Sequence, residues 1–210
     1  MKKTGLREDA AEDIKVRKPE EKHGFLRELL SWIRTIAIGV IIGVLLVIFV
    51  VQRDNVCGDS MYPTLHDGYV VFTQKIATYF KDYDRGDIVI LDGEDMEGYN
   101  HDEYLIKRII GLPGETVRIS EGNVYIRRAG EEDFYLLDEK YLQEGVETVV
   151  MQSGLAKGYD EITLGDDEYY CMGDNRPVSN DSRNLGPFSE DRIKGIAFVV
   201  IYPFSAFGTL

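Results

Sequence analysis

Eighteen consecutive residues, Thr35 to Gln52 (TIAIGVIIGVLLVIFVVQ), carry no charge. At 1.5 Å rise per residue the run makes about 27 Å of helix, close to the ~30 Å hydrocarbon core of a bilayer. Trp32 and Arg34 stand before it and Arg53 after it, where an interface aromatic and snorkelling cations belong. A buried core helix would show polar punctuation. A cleaved signal peptide would have a charged leader shorter than 34 residues and would end in small residues, whereas this run exits through Gln52-Arg53-Asp54-Asn55. A lipoprotein site would place small residues before the cysteine, but Cys57 follows Asp54-Asn55-Val56. The reading is one transmembrane anchor, 35–52, between a charged tail, 1–34, and a larger part, 53–210.

Charge is divided along the same line. Residues 1–34 hold 9 basic and 7 acidic side chains, while the whole chain of 210 residues has a formal net charge of −13. Acidity of that size argues against nucleic acid as a partner, since phosphates call for a basic face. Lys22, Arg27 and Arg34 precede the anchor, and only Arg53 follows it closely. The positive-inside rule then puts the tail in the cytoplasm and residues 53–210 outside a cell membrane crossed once. Residues 1–22 read as a solvated, disordered tail, and Gly24 to Ile33 as a continuation of the membrane helix into the interface.

Beyond the anchor the pattern is β-rich. Tyr69–Ile76, Asp87–Leu91, Glu103–Ile110, Thr116–Ile119, Val124–Arg127, Glu168–Met172 and Gly195–Tyr202 are apolar, β-branched and aromatic runs of strand length. Ser120-Glu121-Gly122-Asn123 reads as a hairpin turn between two of them. Ala129–Leu164 is acidic and weakly patterned, which predicts a coil-rich insertion. Long amphipathic helices are lacking, so the fold class is mainly β behind a single N-terminal helix.

Two cysteines, Cys57 and Cys171, and three histidines, His23, His66 and His101, supply neither a disulfide scaffold nor a metal-ligand pair at helical spacing. No metal and no cofactor is expected. A Ser–His–Asp triad is assembled in space, so spacing leaves it open, although no Gly-x-Ser-x-Gly elbow occurs. Four polar, glycine-bearing clusters stand out between the strands. They are Gly58-Asp59-Ser60-Met61-Tyr62-Pro63-Thr64-Leu65, Arg85-Gly86-Asp87-Ile88-Val89, Lys107 through Gly111-Leu112-Pro113-Gly114-Glu115, and Gly173-Asp174-Asn175 through Ser179-Asn180-Asp181-Ser182-Arg183. Singly, each has a plain explanation as a turn or a surface lysine.

Together, in order and spacing, they resemble the bacterial type I signal peptidases, membrane-anchored serine/lysine proteases, and most of all those of Gram-positive bacteria. The resemblance covers the anchor and essentially all of 53–210. It implies an extracytoplasmic β-rich catalytic domain with Ser60 as nucleophile and Lys107 as general base. A free lysine has a pKa of about 10.4, so a neutral amine near pH 7 needs a fall of some 3 units, about 4 kcal/mol. Leu105, Ile106, Ile109 and Ile110 around Lys107 offer the apolar setting, and alternation places Leu105, Lys107 and Ile109 on one face.

The resemblance further implies that Ser179 orients the lysine amine and that the Ser60 N–H holds the oxyanion with a second donor. Some family members have a serine hydroxyl two residues before the nucleophile. Here that position is Gly58, so the second donor must come from backbone or water. Arg108, Asp174, Asn175, Asp181 and Arg183 look like the supporting shell, with Arg108–Asp174 and Asp181–Arg183 as pairs. Pro177-Val178 departs from the polar residues common at those positions and predicts a stiffer loop. Cys57 and Cys171 flank the two active segments, leaving a disulfide between them or two separate thiols as alternatives.

The implied substrates are signal peptides of exported preproteins, bound as an added strand and cut after small residues of the Ala-x-Ala type. Asn55–Gly58 and Asp102–Ile106 are candidate flanking strands. Membrane lipid and the secretion translocon are the other expected partners. Two readings of other kinds stand beside it. One is a serine/lysine protease of the SOS-repressor type, for which residues 1–34 supply no DNA-binding domain. The other is a catalytically silent anchored β-domain that binds exported peptides.

Overall fold

A computed structural model describes residues 22–99 and 104–210. The tail 1–21, His101, Asp102 and the first residue of the expected strand Glu103–Ile110 lie outside the described residues. The chain divides into two units, Met1–Gly43 and Val44–Leu210.

Helix α1 (Lys22–Phe49) is 28 residues long, about 42 Å at helical rise. Its stretch Gly24–Leu45 is long and apolar enough to cross a membrane, and its side chains are exposed. The helix therefore begins well before Thr35 and stops at Phe49. Val51 and Gln52, the end of the uncharged run, belong instead to strand β1 (Val51–Asn55). Pairing explains the break: Val51 lies opposite Gln74 in β2 (Val70–Gln74), and the Lys75 N–H donates to the Val50 carbonyl at 2.8 Å.

After β2 come α2 (Ile76–Phe80), β3 (Ile88–Leu91), β4 (Leu105–Gly111), β5 (Thr116–Ser120) and β6 (Asn123–Arg127). The 129–164 segment is mostly turn and coil but carries β7 (Tyr135–Leu136), α3 (Gln152–Leu155) and β8 (Glu161–Thr163). Then follow β9 (Glu168–Met172), α4 (Ser182–Leu185), β10 (Phe188–Ser189), β11 (Ile193–Tyr202) and β12 (Gly208–Thr209). The fold is mainly β, as the sequence pattern predicts.

Two antiparallel sheets result. The larger runs β1-β2-β11-β3-β4-β9-β10, with β12 added to β11, and the smaller runs β7-β6-β5-β8. The β5–β6 hairpin turns on Glu121 and Gly122, with φ of 51° and 78°. Positive φ at both central residues is what a type I′ turn needs to match strand twist. Between β4 and β5, Pro113 and Gly114 (φ 76°) sit inside a turn closed by the Glu115 N–H on the Leu112 carbonyl at 3.1 Å. Proline fixes the first central φ of a type II turn and glycine supplies the second.

That turn holds the two sheets together. Arg85 donates to both oxygens of Glu115 at 2.6 and 2.8 Å, and Glu115 accepts from the Leu112 N–H at 2.8 Å. A Cβ on Gly111 would stand 2.4 Å from Val117, so only glycine lets the strand pass. Behind it Ile110, Val117, Val124, Ile126, Tyr170 and Met172 form a shared core. A second core on the larger sheet joins Val89, Leu91, Leu105, Ile109 and Cys171. A third packs Val56, Met61 and Leu65 against Val71, Ile88 and Val200.

Candidate active site

Strand β4 delivers Lys107, and the loop between β1 and β2 delivers Ser60. Lys107 Nζ lies 2.8 Å from Ser60 Oγ and 2.8 Å from its neighbour's carbonyl, Ile106 O. Lys107 is only 2% exposed. In the β3–β4 ladder it lies opposite Val89, and Leu105 and Ile109, two residues to either side, belong to one apolar core. Burial pulls its pKa down to about 8, with Asp181 the chief charge acting the other way. A lysine in that range exchanges its proton near neutral pH, as a general base must.

The segment carrying Ser60 is pinned from behind. Met61 and Leu65 are buried in the third core, and the Leu65 N–H donates to the Met61 carbonyl at 2.9 Å. Asn175 reaches the same segment twice, its N–H to Ser60 O at 3.0 Å and its Nδ2 to Asp59 O at 3.0 Å. Gly173 is required there in the strict sense. A Cβ on it would stand 2.3 Å from both Ser60 O and Ser179 Oγ.

Arg108 forks onto Asp174 at 2.9 and 2.7 Å, donates to Gly86 O at 2.8 Å and stacks 4.1 Å over the Tyr141 ring. Asp174 also accepts from the Thr64 hydroxyl, four residues after Ser60. Arg183 forks onto Asp181 at 2.9 and 2.8 Å, and Asp181 accepts the Gly173 N–H at 3.0 Å. Burial works against the Asp181 charge, yet Arg183 and these hydrogen bonds hold its pKa below the ordinary carboxylate value. Ser179 is buried beside Gly173 and faces the Asp181 carboxylate, but its Oγ makes no hydrogen bond of normal geometry. The hydrogen bonds of Lys107 Nζ run to Ser60 and Ile106, so a Ser179–lysine bond is not among its contacts.

Gly58 has φ of 77°, and its N–H donates to Asp67 Oδ1 at 2.7 Å. That donor is therefore occupied. Cys57 is exposed and Cys171 fully buried, and both are free thiols, so no disulfide joins them. Cys171 stands inside the β-sheet core, where burial pushes its thiol pKa far up. His66 packs edge-on against Tyr62 and at a tilt against Tyr69, with centroids 4.9 and 5.0 Å away, and the amine beside Ser60 Oγ is that of Lys107. Among the described residues no three His, Cys, Asp or Glu side chains gather as for a metal ion.

A cleft of about 160 Å³ opens on the pair, lined by Val56, Cys57, Ser60, Met61, Tyr99, Tyr104, Leu105, Ile106, Lys107 and Asn180. It shares Cys57, Tyr104 and Ile106 with a hollow of about 350 Å³ bounded by Arg53, Asp54, Asn55 and Ile90. Strands β1 and β4 thus face one groove although β2, β11 and β3 separate them in the sheet, so the sheet curls. A larger hollow of about 620 Å³ beside Phe204 includes neither Ser60 nor Lys107.

Sequence reasoning missed Arg176. It is 2% exposed, binds Glu139 and Thr148, and donates to Gly173 O at 3.1 Å. Its position between Asn175 and Ser179 was a signal, but its partners lie in the weakly patterned 129–164 segment. That segment thus contributes Glu139, Tyr141 and Thr148 to the frame of the site.

The sequence profile described as signal peptidase, peptidase S26, matches residues 29–202. The chain is 37% identical to signal peptidase I S of Bacillus subtilis, over 85% of this chain and 92% of that protein. It is 36% identical to a signal peptidase I of Bacillus amyloliquefaciens, over 89% of this chain and 95% of that one. A probable signal peptidase I-2 of Synechocystis is 33% identical over 84% of this chain and 75% of its own length.

Proposed function

The chain belongs to the signal peptidase family, peptidase S26, and on that premise we propose that it is a membrane-anchored serine endopeptidase using Ser60 and Lys107. It removes signal peptides from exported preproteins, after small residues of the Ala-x-Ala type. The observation that carries this reading is the 2.8 Å approach of a buried lysine amine to a serine hydroxyl at the mouth of a cleft.

The neutral Lys107 amine takes the Ser60 proton as Oγ attacks the scissile carbonyl, whose electron pair moves onto oxygen. The ammonium then gives that proton to the departing amine nitrogen as the C–N bond breaks, leaving an acyl-Ser60 ester. Water attacks the ester with Lys107 again as base, and Ser60 recovers its proton as the cleaved signal peptide leaves. Asp174, Asn175, Asp181 and Arg183 with Arg108 hold the two strands and the loop that set this distance.

Substrate would lie extended in the groove between β1 and β4, pairing with backbone edges as an added strand. A cleft of about 160 Å³ suits small side chains rather than large ones. The α1 helix would anchor the enzyme once in the cell membrane, tail inward and catalytic domain outward, beside lipid and the translocon from which preproteins emerge.

The test is cleavage of a preprotein by the detergent-solubilised chain, with the new amino terminus read by mass spectrometry. Residues one and three before the cut are replaced in turn by Val, Leu and Phe. Cutting after Ala or Gly only supports the reading, and equal cutting after Leu and Phe overturns the proposed specificity. A preprotein that binds but is never cut would favour the silent peptide-binding domain.

A further inference from the structure

This inference rests on the peptidase reading and completes its site. A serine protease needs two hydrogen-bond donors at the developing oxyanion, and one is missing here. Position 58 has no side chain, and the Gly58 N–H is already given to Asp67.

Asn175 supplies the direction of the answer. Its backbone N–H and its side-chain amide take two consecutive carbonyls, those of Ser60 and Asp59. Asp59 O also accepts the Tyr62 N–H at 3.1 Å, so the 59–62 turn and Asn175 together fix the directions of the two carbonyls. In a trans peptide the N–H points opposite to the C=O of the same unit. The unit holding Asp59 O carries the Ser60 N–H, and the unit holding Ser60 O carries the Met61 N–H. Both amides are consequently turned away from Asn175. Ser60 and Met61 line the cleft and Asn175 does not. Neither N–H meets an acceptor among the described residues. Two successive unpaired amides in a turn beside a concavity are the arrangement that an anion-binding nest uses.

We infer that the Met61 backbone N–H is the second oxyanion donor and that Asn175 is the positioning residue that aims it together with the Ser60 N–H. The site thus replaces a missing side-chain hydroxyl with a main-chain amide. The buried Met61 side chain fixes one end of this arrangement and Asn175 the other.

The decisive experiment replaces Met61 in the full-length chain by its α-hydroxy acid, which exchanges one N–H for an ester oxygen. Preprotein cleavage and affinity for a substrate-like peptide aldehyde, whose adduct with Ser60 carries the oxyanion, are measured with wild type alongside. The inference predicts a kcat lower by about 10²–10³-fold, as for loss of one oxyanion donor, and a similar fall in aldehyde affinity. KM and affinity for the uncleaved peptide stay within about twofold. Asn175→Asp, which keeps the shape but loses the Nδ2 donor, lowers kcat on the order of tenfold or more at unchanged KM. Normal kcat in the Met61 ester, with wild type active, overturns the inference and leaves the peptidase reading intact. Wild type inactive on every preprotein removes both.

Discussion

Lys107 Nζ stands 2.8 Å from Ser60 Oγ, although 47 positions separate the two residues in the chain. The distance is set by three supports. The β3–β4–β9 ladder fixes Lys107, the Met61–Leu65 turn fixes Ser60, and the Gly173–Asn175 segment, running on from β9 to Ser60 O, ties the two supports together. Glycine at 173 and the fork of Arg108 on Asp174 let that segment come close without strain.

The pH profile follows from the buried amine. With a pKa of about 8, about one molecule in ten has a neutral Lys107 at pH 7. The kcat/KM for preprotein cleavage should rise about tenfold between pH 7 and pH 9 and then level off. A profile flat across that range contradicts the role of Lys107.

Stability should answer to the same group. The folded pKa of about 8 lies below the free value of 10.5, so between those pH values the unfolded chain binds more protons. Stability therefore rises with pH through that window, and below pH 8 the burial cost is fully present. Lys107→Met removes it, stabilising the domain at pH 7 by about 3 kcal/mol at most and by nothing near pH 10.5. Thermal unfolding of both proteins at pH 7 and pH 10 checks this; a gain independent of pH sinks it.

Gly173→Ala should damage activity more than folding. The added methyl would meet Ser60 O and Ser179 Oγ at 2.3 Å, and shifting Ser60 by a fraction of an ångström disturbs its approach to Lys107. We expect kcat to fall on the order of a hundredfold while far-UV circular dichroism is unchanged. Wild-type kcat in this variant would show the close approach to be irrelevant.

Asp174→Ala leaves the buried Arg108 charge without its carboxylate and Thr64 without its acceptor. Removing one partner of a buried pair costs about 3–5 kcal/mol. Urea midpoints should fall accordingly, and Arg118→Ala, which breaks the exposed pair with Glu161, should change them little. Equal effects of the two substitutions would contradict the bracing role of Asp174.

Strands of five or more alternating or apolar residues were legible in the sequence. Glu168–Met172 coincides with β9, and the hairpin turn falls at Ser120-Glu121-Gly122-Asn123 as expected, although Glu121 takes a positive φ that its residue type does not announce. The end of the apolar helix was not legible, because Val50 to Gln52 looks the same to a bilayer and to a strand. Pairing with β2 decided it. Likewise β7 and β8 are two and three residues long, too short for any period to emerge, and exist because β6 and β5 offer edges. Ile76, expected to end a strand, starts the turn of helix α2 instead. Ser60 and Lys107 were recognisable only within their clusters; alone, each is an ordinary serine or lysine. Arg176 and Glu139 escaped because a contact 37 residues apart leaves no local trace.

The most direct measurement is preprotein cleavage by wild type, Ser60→Ala and Lys107→Ala, purified in one detergent and shown folded by their thermal transitions. The account predicts cleavage after the small residue by wild type and none above background by either variant. Cleavage that survives in Lys107→Ala at the wild-type rate would contradict the serine/lysine mechanism.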